Sequence, residues 1–127
     1  MFGFGGRKER ERPLVLVIED DDGVRQMLLD LLTAMKLDAL GAPNGHEGLS
    51  LTVDKLPNLV LLDIQLPDLD GLAVAKALSS EPEPPAVVLV SSRDAADYGP
   101  LLDGCGALGF IAKADLSAES LTALLGA

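Results

Sequence analysis

Aromatic side chains and cysteine are nearly missing from this chain. Its 127 residues include no tryptophan, one tyrosine and three phenylalanines. Any core must therefore be aliphatic, and the 48% hydrophobic content can supply one from Leu, Val, Ile and Ala. A lone cysteine, Cys105, excludes an internal disulfide framework and points to a reducing, cytoplasmic setting. No apolar run approaches the ~18–20 residues of a membrane span, so no membrane insertion is expected. The charged start, Met1 to Arg12, lacks the apolar stretch of a secretory signal. The only histidine, His46, provides neither a zinc cluster nor a catalytic triad. Basic residues are scarce too: 10 against 20 acidic ones give a formal net charge of −10. Arg7, Lys8, Arg10 and Arg12 against Glu9 and Glu11 leave the tail at +2, so the remainder carries −12. Such a surface repels nucleic acid phosphates, and no direct nucleic acid partner is expected.

What is present is an alternation of short apolar runs with amphipathic stretches. Residues 1–12 are Gly-rich and then charged, a composition that predicts a disordered or linker tail ahead of one domain over 13–127. Leu14–Ile18 reads LVLVI, as a strand buried on both faces should. Val24, Met27, Leu28, Leu31, Leu32 and Met35 then recur at helical spacing. The same unit repeats through a weak strand Leu37–Ala42 and a helix Gly45–Val53, then a strand Leu59–Leu62 and a helix Gly71–Leu78. Pro82, Pro84 and Pro85 force a loop before the strand Ala86–Val90. A short helix near Pro100–Asp103 and a strand Ala107–Ala112 follow. Ser117 then reads as the N-cap of a last helix, with Glu119 in its first turn and Leu121, Leu124 and Leu125 as its stripe. Five β–α units predict an α/β fold with a five-stranded parallel sheet covered on both faces. Among doubly wound sheets the order taken as the expectation is the flavodoxin-like 2-1-3-4-5.

In that order the first and third strands are neighbours, and their carboxyl ends carry Glu19, Asp20 and Asp63. Three carboxylates so close raise one another's pKa unless a cation joins them, and Mg²⁺ takes oxygen ligands of this kind. Ser91 follows the fourth strand and Lys113 the fifth, so a hydroxyl and an ammonium reach the same rim. Taken singly, each has an ordinary explanation. An acidic residue after a strand often caps the next helix, as Asp20, Asp21 or Asp22 could.

The stretches LVLVIEDDDGVRQMLLDLL, LVLLDIQLPDLDGL, VVLVSSR and GALGFIAKADL, in this order, resemble the receiver domain of bacterial response regulators. The likeness runs from Leu14 to Leu125. It implies that Asp63 is the phosphoacceptor in two-component signalling, charged by a sensor histidine kinase or a histidine phosphotransfer protein. It implies Mg²⁺ held by Asp20, Asp63 and the backbone carbonyl of Gln65, with Glu19 acting partly through water. Ser91 and Lys113 would contact the phosphoryl group, Ser91 and Phe110 would form the switch, and Pro67, Asp68 and Gly71 the loop that closes the site. A downstream effector protein would read the surface of strands 4 and 5. The state expected is a monomer, or a weak dimer through the helix 4–strand 5–helix 5 face. Two positions depart from the family. Ala114 stands where proline usually follows the lysine, which predicts a trans Lys113–Ala114 bond. Phe110 stands where tyrosine is frequent; it has no hydroxyl to keep it in solvent and is expected to turn inward readily.

Other readings fit less well. A phosphatase with an aspartyl nucleophile needs D-x-D, and Gln65 occupies the second position. A scaffold without chemistry need not carry Glu19, Asp20, Asp63, Ser91 and Lys113 together. A flavin domain would show a Ser/Thr-rich phosphate loop after the first strand, where acids sit instead. Gly104–Gly109 matches G-x-G-x-x-G but runs into a strand, so turn glycines are the expectation. The domain is thus expected to be a switch and not a turnover enzyme. With only Gly126 and Ala127 after Leu125, it is expected to act through a partner and not through an output domain of its own.

Overall fold

Each strand of the computed structural model, which describes residues 11–93 and 95–125, is short and almost wholly apolar. The strands are β1 (Leu14–Ile18), β2 (Asp38–Ala42), β3 (Leu59–Asp63), β4 (Ala86–Ser91) and β5 (Gly109–Ala112). They form one parallel sheet in the order β2-β1-β3-β4-β5, as the alternation predicted. The helices are α1 (Asp22–Ala34), α2 (Gly45–Lys55), α3 (Gly71–Ser79) and α4 (Ala118–Leu125). Met1–Arg10, most of the predicted tail, and Gly126 and Ala127 lie outside the described residues. Arg12 at the tail's end is held, its Nε donating to Lys36 O at 3.2 Å beside Asp38.

Period-two alternation sends successive side chains to opposite faces of the sheet. Val15, Val17, Leu59, Leu61, Val88, Val90 and Ile111 meet α1 and α4 through Leu28, Leu32 and Leu121. Leu16, Ile18, Val60, Leu62, Val87 and Leu89 meet α3 and the β4–β5 crossover through Val74, Leu78 and Cys105. Complete burial of each such aliphatic side chain contributes roughly 1.5–3 kcal/mol, which is how a core with so few aromatics holds together.

Caps fix where the helices begin. Asp21 accepts from Val24 N at 2.9 Å and starts α1. Asn44 does so for α2 and Asp70 for α3. Ser117 caps α4 as expected, its Oγ accepting from Ser120 N at 3.0 Å while Ser120 Oγ accepts from Ser117 N at 2.9 Å. The fourth crossover departs from a regular βα unit. In place of a helix it has two 3₁₀ turns, Ala95–Asp97 and Gly99–Leu102, so the described residues form four α-helices instead of five. Positive φ at Gly99, Gly104 and Gly106, with Pro100 opening the second turn, breaks up any longer helix and makes the glycine-rich motif a set of turns. Strand β5 accordingly starts at Gly109, two residues later than expected.

Candidate functional site at the carboxyl edge of the sheet

Strand register assembles the site in rows. Ile18, Leu62, Leu89 and Phe110 lie side by side across β1, β3, β4 and β5. One residue further along, Glu19 leaves β1 beside Asp63, which is paired with Val90. The next row sets Ser91 against Ala112, and Lys113 follows. Four separate strand ends thus deliver acids, hydroxyl and ammonium to one rim.

Asp63 is buried, and each of its oxygens has a partner. Oδ1 accepts from Gln65 N at 3.0 Å, and Oδ2 lies 3.3 Å from Lys113 Nζ. Glu19 is fully buried; its Oε2 accepts from Asp21 N at 3.1 Å. Lys113 Nζ lies 2.6 Å from Glu19 Oε1, an ion pair whose alignment leaves Oε1 without a hydrogen bond. Burial pushes the Glu19 carboxyl up to about 7; Lys113 and the Asp21 N–H pull it back, and the neighbouring Asp63 charge adds to the rise. Burial works against the Lys113 ammonium, yet Glu19 and Asp63 together hold its pKa above the usual lysine value. No peptide bond among the described residues is cis, the Lys113–Ala114 bond included, and Lys113 reaches both acids from a single 3₁₀ turn, Lys113–Asp115.

Glu19, Asp20 and Asp63 each offer a carboxylate oxygen, and these oxygens lie within 4.8 Å of one another. Three carboxylates, hard oxygen donors of which two are buried, fit a hydrated divalent cation such as Mg²⁺ better than a soft metal. Asp20, unlike its two neighbours, is exposed, which leaves the site open to solvent on one side.

Other expected site residues take different places. Asp68 faces α2, accepting from Gly45 N at 2.8 Å and His46 N at 2.9 Å, with His46 Nδ1 at 2.6 Å. Gly71 sits against the strand end itself: a Cβ there would lie 2.5 Å from Asp63 O. Phe110 is half-buried rather than projecting into solvent. Ser91, fully buried, accepts from Arg93 N at 3.1 Å, and its Oγ lies 2.7 Å from the Tyr98 hydroxyl. Tyr98 and Arg25 were not foreseen. Arg25 Nη1 donates to the Glu19 carbonyl at 2.9 Å and pins the loop that carries the acidic pair. Neither residue belongs to a spacing pattern that a sequence would reveal.

Residues 15–125 match the family model described as the response regulator receiver domain. The chain belongs to the receiver family of two-component signalling. Among curated relatives of this receiver domain, a probable transcriptional regulator ycf27 of Porphyridium aerugineum is 34% identical over 68% of the chain and 36% of its own length. The transcriptional regulatory protein AfsQ1 of Streptomyces coelicolor is 34% identical over 67% of the chain and 38% of its own. The receiver thus spans little more than a third of the length of these relatives. Among solved structures, the BeF3-activated N-terminal receiver domain of Klebsiella pneumoniae RstA superposes with a TM-score of 0.78 at 28% identity, covering 87% of this chain and 94% of that one. The signal receiver domain of the response regulator NarL from Mycobacterium tuberculosis gives 0.79 at 28% identity, covering 93% and 100%.

Proposed function

We propose that Asp63 takes a phosphoryl group from a sensor histidine kinase or a histidine phosphotransfer protein, and that the domain is a switch and not a turnover enzyme. One observation carries this reading. The Asp63 carboxylate lies buried at the end of a central strand, 3.3 Å from an ammonium and within 4.8 Å of two further acid oxygens. Those neighbours would be pointless around a structural acid and suit one that gains a dianionic group.

In the transfer step an Asp63 carboxylate oxygen attacks phosphorus in line with the donor. The new O–P bond forms as the P–N bond to the donor imidazole breaks, and the leaving nitrogen keeps the electron pair. Lys113, already poised between Glu19 and Asp63, balances charge gathering on the phosphoryl oxygens. Mg²⁺, held by Asp20, Asp63, the Gln65 carbonyl and, partly through water, Glu19, would neutralise charge on the same oxygens. Later hydrolysis reverses the bond: water attacks phosphorus, phosphate departs and Asp63 recovers its carboxylate. Ser91 turns toward the phosphoryl group through a charge-assisted hydrogen bond, and Phe110 belongs to the surface that responds. Exposed Leu101 in the fourth crossover and Leu108 just ahead of β5 support an effector-binding face there. We take the domain to begin at Pro13 after a linker tail, to be monomeric or weakly dimeric through that face, and to work in the cytoplasm. Among the described residues no helix is long and apolar enough to cross a membrane.

Intact mass after treatment with acetyl phosphate tests the reading. One phosphoryl adduct is expected with Mg²⁺, little without it, and none in Asp63→Asn. An equal adduct in Asp63→Asn, or none in the wild type, overturns it.

A further inference from the structure

A hydroxyl has one proton to give and two lone pairs to fill. At Ser91 one lone pair takes the Arg93 N–H, and the other partner among the described residues is the hydroxyl of Tyr98, at 2.7 Å. Either oxygen can be the donor in that contact. If Ser91 donates, its proton is spent on Tyr98 and is unavailable to anything on Asp63. If Tyr98 donates, both Ser91 lone pairs are filled and the Ser91 proton is free for an acceptor. A phosphoryl group on Asp63 is a strong anionic acceptor, one residue back on the neighbouring strand. It selects the second arrangement and polarises the Tyr98–Ser91 bond further.

Tyr98 is not an isolated ring. It sits between the turns Ala95–Asp97 and Gly99–Leu102, so its position is the position of the crossover. Its ring centroid lies 6.1 Å from that of Phe110, tilted by 55°, within the range of edge-to-face contact. Phe110 has no hydroxyl to offer Ser91. The strand aromatic therefore supplies only a face to lean on, and the polar link comes from the crossover.

Resting on the phosphoacceptor reading above, we propose that Tyr98 is the positioning residue of the switch: its hydroxyl donates to Ser91 Oγ, aims the Ser91 proton at the group on Asp63, and carries the Ala95–Leu102 crossover along as Ser91 turns. The link is to the crossover directly, and Phe110 follows by ring contact instead of leading.

The composition makes this testable without a reporter, because Tyr98 is the only tyrosine. A protein labelled at tyrosine Cζ gives one resonance, and that carbon senses what its hydroxyl bonds to. Wild type, Ser91→Ala and Tyr98→Phe are each treated with Mg²⁺ and beryllofluoride, and bound fluoride is followed in parallel by fluorine NMR. In the wild type the Cζ resonance is expected to shift when fluoride binds. In Ser91→Ala it should be displaced before any addition and not respond further. Tyr98→Phe keeps the ring, should bind fluoride and take the phosphoryl adduct, and should lose most of the amide shift changes over residues 95–102. Bound fluoride with an unmoved wild-type Cζ resonance, or full amide changes in Tyr98→Phe, overturns the role of Tyr98 while leaving Asp63 as acceptor. Absence of bound fluoride in the wild type overturns both.

Discussion

A single methyl group separates glycine from alanine, and at Gly71 there is nowhere to put it. Its Cβ would meet Asp63 O and Ile64 Cα at 2.5 Å and Ile64 O at 2.7 Å, all backbone atoms that cannot rotate away. The Gly71 N–H also donates to Ile64 O at 2.9 Å, so the start of α3 is fastened to the residue after Asp63. Gly71→Ala must push the Asp63–Ile64 peptide or break that bond. A loss of about 1–3 kcal/mol is expected, in line with overpacked sites, together with slower phosphorylation because Asp63 shifts against Lys113. Urea unfolding and adduct formation under acetyl phosphate measure the two effects. A stable Gly71→Ala protein with unchanged adduct formation would mean that the loop yields more easily than its backbone contacts indicate.

Elements joined by side chains from other elements are where sequence reading stops. The five strands and four of the helices followed from apolar runs and helical spacing, because those patterns are local, whereas the strand order rested on the doubly wound class of fold. So did the placement of Glu19, Asp63, Ser91 and Lys113 at one edge, since each directly follows or ends an apolar run. The fourth crossover did not follow. Ala95–Leu102 has no apolar stripe, and Gly99 and Pro100 fit a turn as well as a helix start, so the pattern alone did not separate two 3₁₀ turns from a short helix. The Asp68 clamp was hidden for a different reason: its partners lie more than twenty residues away on another element. Desolvation pushes Asp68 up, but the His46 and Gly45 N–H groups and the His46 ring outweigh it and hold the carboxyl down to about 2. A carboxyl lowered on folding stabilises the fold above its unfolded value, near 3.8, and that contribution is lost as pH falls toward 2. Asp68→Asn should therefore be less stable than the wild type at neutral pH, with the gap closing between about pH 4 and pH 2. Urea midpoints across that range check this; a gap independent of pH would show that the Asp68 charge contributes nothing to holding α2.

At the scale of the whole molecule, net charge sets the terms. A formal charge of −10 opposes compaction everywhere, and any salt relieves it by screening. The acidic cluster adds a local demand that screening cannot meet, because Glu19 and Asp63 are buried. Mg²⁺ should stabilise the protein beyond what sodium chloride does at the same ionic strength. At a tenfold excess over its Kd the specific gain is about 1.4 kcal/mol. In Asp63→Asn that excess should shrink, since one of the three clustered carboxylates is gone. Thermal or urea midpoints in matched salts decide it, and equal stabilisation by the two salts in the wild type would count against a dedicated cation site.

The order of the strands has a mechanical consequence. Strand β3, which carries Asp63, is paired along both sides, whereas β5 is paired only to β4 and is four residues long. A force applied at the sheet centre must tear two ladders to displace β3, yet only one short ladder resists at β5. Compliance therefore rises from Asp63 toward that margin. The opposite margin, β2, is equally free but sends no side chain into the acidic cluster. A disturbance at Asp63 thus meets less resistance toward β5 than at the sheet centre, and Ser91, Tyr98 and Phe110 lie on that side.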